Sequence, residues 1–160
     1  MTKIFNCLIM LLLLTGCSYR IVRTGYEKVE SVIPDCNIVI KKQMFIPTSL
    51  RKVGEIKIGE SGFSIGCNEA NALEILKQEG CSLNATLINI TEEYRPDLWS
   101  SCYRCKAEFY INTDDQTAYQ NDEQYSPQNV NKRVSKDQIR NTIVGIGAVA
   151  FGYFIGSLIF

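Results

Sequence analysis

Seven cysteines and no histidine among 160 residues constrain this chain more than any other feature. Without an imidazole, the commonest general base and the commonest metal ligand are both missing. Two of the cysteines stand in Cys102-Tyr103-Arg104-Cys105. A CxxC is either a redox or metal motif or a pair of structural cysteines, and the compartment decides which readings are open.

The N-terminus addresses the compartment. Lys3 precedes an apolar run from Ile4 to Leu14, of signal-peptide length and too short to span a bilayer. It ends in Leu14-Thr15-Gly16-Cys17. That stretch resembles a bacterial lipobox, which implies removal of residues 1–16 and acylation of Cys17 on its thiol and new amino group. Three acyl chains exceed what stable membrane anchoring needs. Ser18 after the lipidated cysteine, rather than Asp, fits the commonest rule for export to the outer membrane. The expected location is therefore the cell envelope, facing the periplasm, with the inner membrane as the alternative. Cys7 leaves with the signal peptide and Cys17 carries lipid, so Cys36, Cys67, Cys81, Cys102 and Cys105 remain to be oxidised in pairs, with one left over. Formal net charge is zero, which gives no electrostatic footprint for nucleic acid.

Residues 17–34 read as a lipidated polar tether. A domain follows over 35–111. CNIVIKK (36–42) reads as a strand, and KVGEIKIG (52–59) alternates as a second, with Ile56 and Ile58 on one face. NEANALEILKQEG (68–80) reads as a helix, with Asn68 as N-cap, Glu69 at its positive end and Gly80 at the left-handed C′ position. NATLINIT (84–91) is expected as a third strand. YRCKAEFYI (103–111) is the fourth, with Tyr103, Cys105, Ala107, Phe109 and Ile111 turned to the core. The order ββαββ predicts a small α+β domain, a twisted sheet crossed by one helix. Residues 112–140, rich in Asn, Gln, Asp, Lys and Ser, read as a disordered linker. Residues 141–160 read as a C-terminal hydrophobic helix. Its charge-free part from Ile143 on would be roughly 27 Å long, just enough for the hydrocarbon layer.

Neither of two catalytic patterns carries an activity. Gly62-Phe63-Ser64-Ile65-Gly66 matches the nucleophile elbow G-x-S-x-G, yet the elbow needs a histidine base and a far larger sheet. The CxxC sits at the start of a strand rather than at a helix N-terminus, where the dipole would lower a thiol pKa. In a strand its two Cα atoms stand roughly 10 Å apart, beyond the reach of about 7 Å that a disulfide allows. No second CxxC completes a zinc site, so no metal and no cofactor is expected. Trp99 reads as a ring folded over the sheet edge or the disulfide rather than as a partner contact. Asn84 and Asn89 begin glycosylation sequons, which a bacterial lipobox makes irrelevant.

Taken together, Gly54-Glu55-Ile56, a Gly-rich turn into Cys67, the helix, Asn84-Ala85, and Cys102-Tyr103-Arg104 resemble small bacterial envelope lipoproteins of the Rcs stress-sensor family over about residues 50–111. The resemblance implies a structural disulfide between Cys67 and Cys102. Closing a loop of that size is worth about 4 kcal/mol in the chain-entropy model. The family's second bridge has no counterpart here, because Thr91 and Glu108 stand where its cysteines would be. Among Cys36, Cys81 and Cys105 one further pair is open, and Cys105 can equally stay a buried thiol.

In the tail, Gly145, Ala148, Gly152 and Gly156 fall on one helical face, and Gly152-x-x-x-Gly156 is the small-residue pattern through which membrane helices approach closely. A homo-oligomer through this face and a lone anchor are both compatible with it. Lys132, Arg133, Lys136 and Arg140 precede the helix on the expected periplasmic side, against the positive-inside tendency. The expected function is non-enzymatic: an envelope lipoprotein acting through protein–protein contacts, as a stress sensor or assembly factor. The alternative is a periplasmic thiol or metal-binding module built on CYRC.

Overall fold

The computed structural model describes residues 19–27, 29, 36–60, 66–97, 100–114 and 118–159, with side chains as far as residue 143. The expected signal peptide (residues 1–16), Cys17, Ser64, Trp99 and the side chains of the Gly145/Ala148/Gly152/Gly156 face lie outside the described residues.

The fold is α+β. Five strands, β1 (Arg20–Thr24), β2 (Val39–Lys42), β3 (Leu50–Gly59), β4 (Leu87–Tyr94) and β5 (Arg104–Asn112), form one mixed sheet in the order β1-β3-β5-β4-β2. Helix α1 (Glu69–Ser82) lies between β3 and β4 in the chain, and a 3-10 turn (Glu123–Tyr125) leads into α2 (Pro127–Ile159). All neighbouring strands are antiparallel except β2 and β4. The alternation of β5 does what its sequence dictates. Tyr103, Cys105, Ala107 and Phe109 are buried and Ile111 partly so, all in the main core with Ile56 and Ile58 of β3 and Leu73 and Leu76 of α1.

Four sequence expectations are corrected. The expected tether contains β1, which pairs with β3 from Arg20↔Gly59 to Thr24↔Glu55 and makes a fifth strand. Tyr19 and Tyr26 flank it and pack on the core, supplying apolar surface that RIVRT lacks alone. Residues 118–140, expected within a disordered linker, belong to the fold instead. Tyr125 and Val130 are buried in the main core, with Val134 packed against it, and α2 runs unbroken from Pro127. The helix expected as a separate hydrophobic element at 141–160 is therefore the continuation of α2. Among the described residues, no helix is long and apolar enough to cross a membrane.

Gly80 is not the left-handed cap of α1. The helix runs two residues further, and Asn84, at φ 54°, takes up the left-handed conformation. Gly80 is needed for close approach instead: a Cβ there would lie 2.4 Å from Cδ1 of Ile38 and 3.3 Å from the Phe109 ring. Gly54 serves similarly where β3 breaks register with β5, since a Cβ would come within 2.8 Å of the Tyr26 ring. That ring meets Phe109 edge-on, 5.9 Å between centroids.

The back of the sheet is also partly covered. Leu50, Leu87 and Tyr110 form a second cluster under Met44, Ile46 and Tyr119. Buried Asn89 holds that cover down: its side chain accepts a hydrogen bond from the Met44 amide at 2.9 Å. Leu87 to Ile90 are consequently all buried. The outer edge of β2 is blocked as well. Asn121 Oδ1 accepts from the Ile40 amide, Asp122 donates its amide to Ile40 O, and Asp122 Oδ2 accepts from the Lys42 amide. Side chains from the polar 118–122 stretch thus stand in for a sixth strand and cover an edge that would otherwise invite pairing.

Candidate functional site

The chemistry-bearing side chains gather at one end of the sheet, around the start of α1. Asn68 caps that helix, its Oδ1 accepting from the Asn71 amide at 3.0 Å. Cys67 immediately precedes the cap and is bonded to Cys102, with Cα atoms 4.9 Å apart. The Tyr103 amide donates to Cys67 O at 2.8 Å, so bond and backbone together fasten the helix start to the entry of β5. A second disulfide, Cys36–Cys81, ties the chain entering β2 to the end of α1. Cys105, the remaining described cysteine, is free and buried.

This arrangement separates the two cysteines of CYRC. Cys102 lies before β5 and is spent on Cys67, while Cys105 points into the core from within the strand. Burial, reinforced by the nearby Glu93 and Glu69 carboxylates, pushes the Cys105 thiol up to about 12. The thiolate is the reactive species, so this sulfur is inert near neutral pH. Among the described residues, no group of three or more His, Cys, Asp or Glu side chains is placed to hold a metal.

Next to the disulfide stands the ion cluster that sequence reading missed. The Glu69 side chain is 1% exposed, yet it faces two guanidinium groups at the helix N-terminus. Arg133 of α2 donates from Nε to its Oε2 at 3.0 Å and from Nη2 to its Oε1 at 2.5 Å, and Arg95 donates to Oε2 from the other side. Arg95 also reaches Asp137 at 3.2 Å, and Asp137 lies 3.6 Å from Arg140. Arg140 finally donates to the carbonyl of Pro96. Two of the four cations that looked misplaced ahead of the tail therefore dock α2 onto the domain. A buried carboxylate needs such partners, because desolvation without pairing costs several kcal/mol. The hydrogen bonds it donates to Glu69 hold the Arg133 guanidinium above its ordinary range, leaving it permanently charged.

Between α2 and the disulfide a groove of about 210 Å³ remains, lined by Cys67, Asn68, Pro96, Ser101, Val134 and Asn141 among others. The only local signal for the clasp was spacing: Val130 and Val134 lie one turn apart, as do Arg133 and Asp137. By sequence alone Glu69 is a dipole partner; its second role depends on residues far along the chain. Comparison of the chain with protein-family models, with curated proteins and with solved structures finds no match.

Proposed function

We propose that the chain is a non-enzymatic lipoprotein of the bacterial envelope, held by acylated Cys17, facing the periplasm, and acting through protein–protein contacts as a sensor or assembly factor of the Rcs stress-sensor kind. The observation that carries this reading is the state of the cysteines. Four of the five expected in the mature chain are consumed in two disulfides, and the fifth is a buried thiol. Such usage suits an oxidising compartment and a small domain that needs staples. It also gives the CYRC module nothing to work with, since Cys102 is bonded elsewhere and Cys105 is protonated in the core. The departure from the family at Thr91 and Glu108 is offset by Cys36–Cys81, which fastens a different pair of elements.

The test is fractionation of the full chain against its Cys17→Ala variant, with crosslinking in intact membranes. The wild type should sediment with membranes, lack residues 1–16 and crosslink to a discrete envelope protein, while the variant keeps its leader and loses that adduct. A variant that is processed and fractionates like the wild type contradicts the reading.

A further inference from the structure

Resting on that reading, we infer that the end of the domain built around Cys67–Cys102 is a membrane-apposed face, and that the lipid at Cys17 and the apolar part of α2 enter one and the same bilayer beside it. Two termini that are far apart in sequence converge here. The Tyr19 hydroxyl donates to Asn68 O at 2.7 Å, and Tyr19 packs on the main core. Cys17 is two residues earlier in the sequence, and a chain extends at most about 3.6 Å per residue. On the proposed reading the acyl chains of that residue sit in a leaflet, with a single residue of chain between Cys17 and Tyr19.

The other terminus leaves from the same place. Arg140 donates to Pro96 O, and the Asn141 side-chain Nδ2 donates to Ser101 O at 3.5 Å. Pro96 and Ser101 belong to the loop joining β4 to β5, and Ser101 is the neighbour of disulfide-bonded Cys102. The apolar run begins two residues later, at Ile143. Asn68 and Ser101 are themselves joined through the Cys67–Cys102 bond and the groove that both line. A chain meant to bridge two membranes would send its anchors from opposite ends. Here the opposite end is marked by Thr113, and the nine residues of β5 put it roughly 30 Å from the disulfide. The double attachment would hold the domain upright on a lipid surface, with its far end and the back of the sheet turned away toward partners.

The full-length protein, reconstituted in vesicles of phosphatidylethanolamine and phosphatidylglycerol that carry a headgroup nitroxide, tests this directly. A fluorescent amino acid is placed in turn at Ser101, Gln138 and Thr113, all exposed, with intact mass reporting Cys17 acylation in the same preparations. Quenching should be several-fold stronger at Ser101 and Gln138 than at Thr113. Two near-end positions guard against one substitution disturbing the fold. An acylated chain quenched equally at both ends, or more at Thr113, overturns the inference and leaves the lipoprotein reading standing. An unmodified Cys17 removes both.

Discussion

Arg133 forks across both oxygens of the Glu69 carboxylate, 64 residues earlier in the chain, and so joins α2 to the start of α1. Removing the fork should leave a buried carboxylate with Arg95 as its remaining guanidinium partner. Breaking a buried pair costs about 3–5 kcal/mol when no partner remains. With Arg95 still present, Arg133→Met should destabilise the domain by about 2 kcal/mol in urea unfolding. Amide exchange should rise first in residues 127–140. Unchanged exchange there would mean that Tyr125, Val130 and Val134 suffice to hold the helix.

The disulfides predict a specific peptide map. Unreduced protein with free thiols blocked should yield Cys67–Cys102 and Cys36–Cys81 peptides, with Cys105 modified only after denaturation. Cys67→Ser with Cys102→Ser should lower stability by about 4 kcal/mol, the chain-entropy value for a separation of 35 residues. A Cys102–Cys105 peptide would revive the redox reading.

Much of the sheet was legible in sequence, and the exceptions have physical causes. The inward face of β5 follows strict alternation because it packs on the main core with α1, while on the other face Tyr110 is buried under the Met44 loop and its neighbours are half-buried. β4 breaks that rule: Leu87 to Ile90 are buried on both faces because the loop at Met44 folds underneath, pinned by Asn89, and no local period encodes that. β1 was missed because its contribution comes from Tyr19 and Tyr26 on its flanks. The start of α2 was missed because its few apolar anchors are supplemented by ion pairs to Glu69 and by Asn121 and Asp122 on a strand edge. The Cys67 to Cys102 bond was legible only through family resemblance, and the Glu69 clasp not at all.

Gly80 offers a packing test. Gly80→Ala gains about 1 kcal/mol of helix propensity, while an added methyl in a filled core costs about 1–3 kcal/mol. The clash with Ile38 should make the variant less stable than wild type. Ile38→Val removes the offending Cδ1, so alanine at position 80 should cost less in that background. Equal cost in both backgrounds, measured by a double-mutant cycle, would place the strain elsewhere.

Acid should loosen β1 before the rest of the sheet. The hydrogen bond from Arg23 holds the Glu79 carboxyl below its ordinary range, against the upward push of burial and with help from the Tyr26 hydroxyl. A depressed folded value stabilises above the ordinary carboxylate value of about 4.3 and is lost as pH falls through the folded one. Exchange in residues 20–24 should therefore rise on the acid side of that value. In Arg23→Leu it should be high already at neutral pH and change less on acidification. Identical pH profiles for the two proteins would detach Glu79 from the stability of β1.

The measurement closest to the central claim is the mass of the N-terminal peptide of the mature protein taken from its native membranes. The account requires a peptide that begins at Cys17 and carries diacylglycerol on sulfur and an acyl chain on nitrogen. A peptide that retains residues 1–16, or that contains an unmodified Cys17, would contradict it.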